Sequence, residues 1–136
     1  MNSCTRIFVH FVWATWDRQP LITTDIQEEL YACIADRCRA LKAQPLEIGG
    51  IADHVHVLAR VPATITISQL VHDMKGASSH LMNHVLRCNS NFRWQGAYGA
   101  FSVSPDEVAR VRTYIHNQVQ LHAENTLKDP WERTDE

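Results

Sequence analysis

His54-Val55-His56 places two histidines one residue apart, and 58 residues further on Tyr114 and Gln118 stand four apart. Two imidazoles and an amide can bind a metal ion, and a phenol can attack a phosphodiester. In a β-strand, residues i and i+2 lie on one side about 6.6 Å apart, so two ring nitrogens can converge on one cation. On a helix, residues i and i+4 sit one above the other, so the phenol and the amide can share a site. The chemistry therefore requires a strand under His54 and His56, a helix under Tyr114, and a fold that brings the two together.

The neighbouring residues are consistent with both elements. Val55, Val57, Ala59 and Val61 alternate with the histidine side and form an apolar face, as a strand with one side on a core should. Two solvated polar residues on an exposed sheet face remain an alternative for the histidines. In the helix, Val108, Val111, Ile115, Val119 and His122 form one stripe. Tyr114 lies about 100° from its centre, so the phenol is expected on the shoulder of the helix and not in the core.

The remaining elements follow from local signals. Arg6 to Thr15 is dense in Val, Phe, Ile and Trp and reads as a strand. Thr24 with Gln27 makes a capping-box pattern for a helix running to about Ala43, with Pro45 beyond it. Leu46 to Ile51 and His54 to Val61 form a hairpin across Ala52-Asp53. Thr66 with Gln69 opens a second helix ending near Arg87, and Asn89-Ser90-Asn91 is the loop beyond it. A strand from about Tyr98 to Val103 follows. Ser104-Pro105-Asp106-Glu107 then starts a last helix that runs to about Glu124. The order β-α-β-β-α-β-α predicts an α+β chain with a ferredoxin-like split β-α-β arrangement, four antiparallel strands and helices on one face. The last helix is extra to that repeat. It must cross the open sheet face or pack on a second subunit.

The 136 residues suit one domain spanning 1–136, and the acidic tail from Leu127 to Glu136 is expected to be loosely ordered. No apolar run of membrane-spanning length and no secretory leader pattern appear, so neither membrane association nor export is expected and the chain reads as cytoplasmic. Cys4, Cys33, Cys38 and Cys88 form no Cys-x-x-Cys pair and read as reduced structural thiols. The net charge of −2 is unusual for a nucleic-acid binder. Between Arg60 and Arg112, however, six basic residues (Arg60, Lys75, Arg87, Arg93, Arg110, Arg112) face three acidic ones (Asp73, Asp106, Glu107). A local basic surface and an ordinary mixed face are both compatible with that distribution.

His54-Val55-His56, the run Trp94-Gln95-Gly96-Ala97-Tyr98-Gly99-Ala100-Phe101-Ser102-Val103-Ser104 and Tyr114-Ile115-His116-Asn117-Gln118 together resemble the single-tyrosine HUH transposases of the smallest bacterial insertion sequences, to which REP-associated tyrosine transposases are closely related. The likeness spans nearly the whole chain and includes His10-Phe11-Val12-Trp13-Ala14-Thr15, Leu70-Val71, Lys75-Gly76 and Ser78-Ser79. By matched position it implies that His54, His56 and Gln118 hold a divalent metal, Mg²⁺ or Mn²⁺, and that Tyr114 is the nucleophile. It also implies an RRM-like fold and a homodimer in which one subunit's tyrosine helix can complete the other's histidine site. The implied substrate is single-stranded DNA with hairpins at element ends, cleaved and rejoined through a 5′-phosphotyrosine. No nucleotide cofactor is expected, since the covalent link conserves the bond energy and no Walker-type Gly-rich lysine motif is present. Trp94 and Tyr98 are candidates for base stacking, with a core role the stronger reading for both.

Two other classes compete. An RRM-like module could hold single-stranded nucleic acid without cutting it. A small hydrolase could use His54 and His56 with a carboxylate such as Asp53 to activate a metal-bound water.

Overall fold

The computed structural model describes residues 3–86 and 91–135. Arg87, Cys88, Asn89 and Ser90, where the sequence places a helix end, a thiol and part of a loop, lie outside the described residues, as do both chain ends.

Four strands form one antiparallel sheet: β1 (Phe8–Ala14), β2 (Gln44–Ile51), β3 (His54–Arg60) and β4 (Gly99–Val103), in the order β2-β3-β1-β4. With α1 (Gln27–Ala40) after β1 and α2 (Ile67–His80) after β3, this is the expected split β-α-β architecture. The hairpin turn falls at Ala52-Asp53, with Ile51 paired to His54. In β1 the residues Val9, Phe11 and Trp13, and in β3 the residues Val55, Val57 and Ala59, face α1 and α2 and make the main core with Leu30, Ile34, Leu70 and Met74. Each of the larger aliphatic side chains contributes about 1.5–3 kcal/mol by leaving water. Trp94 belongs to this core, donating its indole N–H to Ser78 Oγ at 3.0 Å, and Tyr98 packs against it.

One helix start follows its sequence signal and another does not. At α2 the Thr66 side chain accepts from the Gln69 backbone N–H at 3.1 Å, as the capping pattern predicts. At α1 the expected Thr24 cap does not form. The Thr23 carbonyl instead accepts from the backbone N–H groups of Ile26 and Gln27, which satisfies those donors without a side chain. The same helix stops at Ala40. Lys42 adopts φ 67° and the N–H groups of Lys42 and Ala43 bond back to Arg39 and Cys38 in a Schellman closure. After α2 the chain continues as a π-helical turn, Leu81–Val85.

The other sheet face carries the C-terminal elements α3 (Val108–His116), α4 (Gln118–Glu124) and α5 (Asp129–Glu132). The predicted single last helix is thus corrected. Pro105–Glu107 form a 3-10 turn before α3, with no cap from the Ser104 side chain, and Asn117 (φ −98°, ψ 20°) breaks the helix before α4. This break re-phases the residues that follow, leaving Val119 68% exposed while Gln118 turns inward and is buried. The helices cross the sheet of their own chain, one of the two solutions open from sequence.

Close approach is what allows the crossing. Gly49 lies beside His56 in the sheet, and a Cβ there would overlap the Ile115 carbonyl of α3. Gly49→Ala should lower stability by about 1–3 kcal/mol in urea unfolding, because backbone and not a flexible side-chain tip must move. Unchanged stability would contradict the close approach of α3 to β2 at Gly49.

Candidate active site

The histidines of β3 stand on the face opposite the main core, beside Leu58. They are not solvated: His54 is 1% exposed and His56 fully buried, because α3, α4 and α5 roof that side. Leu58, Val111, Tyr114 and Ile115 form a second apolar cluster, joined at its edge by Trp131. Tyr114 is therefore not on an open shoulder. It is 6% exposed, with its ring edge-on to Trp131 at 4.8 Å and to His56 at 6.0 Å. The helix wheel left it outside the stripe because the layer that covers it comes from the tail, far along the chain.

All four residues expected to do chemistry meet in one place. The Gln118 side-chain oxygen lies 3.1 Å from His54 Nε2. The phenol donates a short hydrogen bond to Glu132 Oε2 and accepts one from the Lys128 backbone N–H at 3.0 Å. The Glu132 carboxylate in turn lies 3.3 Å from His54 Nε2 and 3.3 Å from His56 Nε2. One carboxylate thus bridges both imidazoles and the phenol.

Three further groups complete the centre. His54 Nδ1 is 2.8 Å from an Asp53 carboxylate oxygen. His56 Nδ1 is 2.8 Å from Nε2 of His10, a buried residue of β1. His122 Nε2 lies 3.1 Å from the Gln118 oxygen and 3.3 Å from His54 Nε2. His122 continues the four-residue spacing of Tyr114 and Gln118, a signal present in the sequence and read there as packing. Glu132 had no such signal, because a tail residue acquires a role only from where it docks. That docking is permitted by Gly99, whose Cβ would overlap the Arg133 carbonyl.

The electrostatics follow from this geometry. Burial alone would lower His54, but hydrogen bonds to Asp53 and Glu132 outweigh it and raise the imidazole to about 9. For His56, burial dominates and pushes it down against the opposing pull of Glu132. His10 is pushed down to about 3, first by burial and then by His56. Burial also favours the neutral acid at Glu132, yet hydrogen bonds with His54 and His56 together hold it well below the usual carboxylate range. The Tyr114 phenol is driven far above its ordinary value by burial and by donation to Glu132. The tail thus keeps the phenol protonated.

The donor chemistry fits a divalent cation. The ligand atoms of His54, His56 and Glu132 all lie within 4.8 Å of one another and could hold one. Ligands at about 2.1 Å from an octahedral ion stand about 3.0 Å apart, close to the 3.1 Å between the Gln118 oxygen and His54 Nε2. The Gln118 side-chain oxygen faces His54 Nε2 and His122 Nε2, so the amide presents an oxygen to this centre. Among the described residues Cys4, Cys33 and Cys38 are free thiols remote from this chemistry, and no helix is long and apolar enough to cross a membrane.

No curated protein matches the chain. A crystal structure of a Deinococcus radiodurans R1 protein assigned as a transposase aligns with a TM-score of 0.72 at 22% identity, covering 87% of this chain and 95% of that one. A REP-associated tyrosine transposase bound to a REP hairpin aligns with a TM-score of 0.66 at 16% identity, covering 90% and 74%. At these identities both establish the fold. The family profile described as "Transposase IS200 like" matches residues 3–118, a span that holds every strand, both histidines of β3, Tyr114 and Gln118, and the chain belongs to that transposase family.

Proposed function

We propose that this transposase cleaves and rejoins single-stranded DNA through a 5′-phosphotyrosine on Tyr114, with a divalent ion, Mg²⁺ or Mn²⁺, held by His54, His56 and Gln118. The observation that carries this reading is the convergence of the Tyr114 hydroxyl and both histidine Nε2 atoms on the one Glu132 carboxylate. An anionic carboxylate there marks the position that a phosphodiester oxygen would take. When bound, the ion withdraws charge from that phosphate and orients it. The phenolic oxygen attacks phosphorus, the P–O3′ bond breaks, and the departing O3′ receives a proton while the phenol loses one. Attack by a 3′-hydroxyl on the phosphotyrosine reverses the step and reseals a strand without a nucleotide cofactor. The REP hairpin bound by one structural relative supports hairpin DNA as the recognised form. A homodimer, implied by the family resemblance, is not needed to assemble the four side chains, since one chain brings them together.

The test is incubation in Mn²⁺ with single-stranded DNA that contains a cognate hairpin and is radiolabelled at internal phosphates, since a label on the 5′ end would leave with the departing strand. Label that survives SDS on the protein, and does not form when a chelator is present from the start, is the expected result. Cleavage without any retained label argues for a different nucleophile.

Glu132 also makes a prediction. DNA must displace its carboxylate from the imidazoles, so Glu132→Gln removes a charge that repels the incoming phosphate and leaves the phenol only a neutral, weaker acceptor. Adduct formation at subsaturating DNA should rise about threefold to tenfold by these electrostatic terms. A loss of cleavage would instead make Glu132 a required ligand.

A further inference from the structure

The two imidazoles proposed to hold the metal are supported differently from behind. His54 has the carboxylate of Asp53 on its Nδ1, the usual arrangement for a metal-bound histidine. His56 has another histidine, His10. His10 lies on β1 two residues from Val12, the cross-strand partner of His56, so the pair is diagonal on the same sheet face. It is fully buried, edge-on to Phe101 at 6.1 Å and to Trp131 at 6.0 Å. Its Nδ1 has no hydrogen-bond partner. Burying an imidazole nitrogen unpaired is unfavourable, and an apolar residue would fill the same space without that cost. Packing therefore does not explain a histidine here, whereas the 2.8 Å contact between His10 Nε2 and His56 Nδ1 does.

We propose that His10 is a positioning residue that fixes the ring angle and tautomer of His56 by accepting a hydrogen bond from His56 Nδ1–H. The inference rests on His56 Nε2 being a ligand, as proposed above. A ligating Nε2 carries a lone pair, so the His56 proton resides on Nδ1 and points at His10. His10 must then present an unprotonated Nε2 and carry its own proton on the unpaired Nδ1. The unpaired Nδ1 is then the N–H that His10 leaves without an acceptor so that its Nε2 can accept from His56.

The experiment compares wild type with His10→Leu, which keeps the volume and loses the nitrogen, and with His10→Gln, whose amide reaches as far as Nε2. Mn²⁺ alone is titrated by electron paramagnetic resonance, and the His10 and His56 nitrogens are read by ¹⁵N NMR with Mg²⁺. His10→Leu is expected to bind Mn²⁺ about 10–100-fold more weakly, with His10→Gln recovering most of that loss, and the Mg²⁺-loaded wild type should show His10 Nε2 unprotonated. Should His10→Leu not fold, the NMR signature and the Gln variant decide. Equal Mn²⁺ affinity in folded His10→Leu, equal losses in both variants, or a protonated His10 Nε2 in the loaded protein each overturns the proposal while leaving the metal site intact. Absence of Mn²⁺ binding by wild type overturns the metal site and this inference together.

Discussion

Tyr114→Phe is expected to abolish the covalent protein–DNA adduct, lowering adduct formation by at least about a thousandfold, as losses of a nucleophile do. The substitution removes one oxygen and keeps the ring that packs on Trp131 at 4.8 Å and on His56 at 6.0 Å. What the fold loses is the hydrogen bond to Glu132 and the one from the Lys128 N–H. That costs about 1–3 kcal/mol because Glu132 is left short of a donor, a shift readable in thermal unfolding and too small to unfold a domain of ordinary stability. A folded phenylalanine variant that still accumulates label would remove Tyr114 from the chemistry.

His56→Ala is expected to weaken Mn²⁺ binding by more than about a hundredfold, beyond the effect of losing only a ligand's supporting residue, and to lose cleavage with it. The proposed binding to hairpin DNA should persist, since His56 has no exposed surface with which to contact it. The variant also opens a cavity and deprives His10 Nε2 and Glu132 of partners. A stability loss of about 2–4 kcal/mol therefore accompanies it, and His56→Gln gives a milder version in which the cavity is mostly filled. Cleavage at wild-type rate in either folded variant would contradict the ligand assignment. Loss of hairpin binding in a folded variant would assign His56 to DNA contact instead.

The parts of this centre legible in sequence are those set by local periodicity. Alternation in β3 put Val55, Val57 and Ala59 on the core and the histidines opposite them, and the structure keeps that division. The element order and the Ala52-Asp53 turn likewise follow from short-range signals. Tyr114 and Gln118 were separable as a pair because four residues make one turn, and the break at Asn117 bends the helix without parting them from the histidines. Burial of the site was not legible. It depends on Trp131 and Glu132, which sit in a polar tail with no periodic pattern and gain their places only by packing over Tyr114 and beside the glycine of β4. The tail, expected to be loosely ordered, folds in part as α5 for that reason. Helix caps failed as boundary markers where the backbone found its own acceptors, as at Thr23. His10 gave a weaker cue: a lone imidazole in an otherwise apolar strand, whose partner could be named only once β1 and β3 were known to pair.

The proposed reaction stands on the phenol of Tyr114 attacking a phosphate held against His54 and His56. The most direct measurement is mass spectrometry of the protein trapped with internally labelled single-stranded DNA in Mn²⁺, digested with trypsin and nuclease. The proposed chemistry predicts a phosphonucleotide on the peptide containing Tyr114 and an equal amount of released strand ending in a 3′-hydroxyl. Released strands bearing a free 5′-phosphate, with every peptide unmodified at the earliest time points, would contradict it and make water the nucleophile.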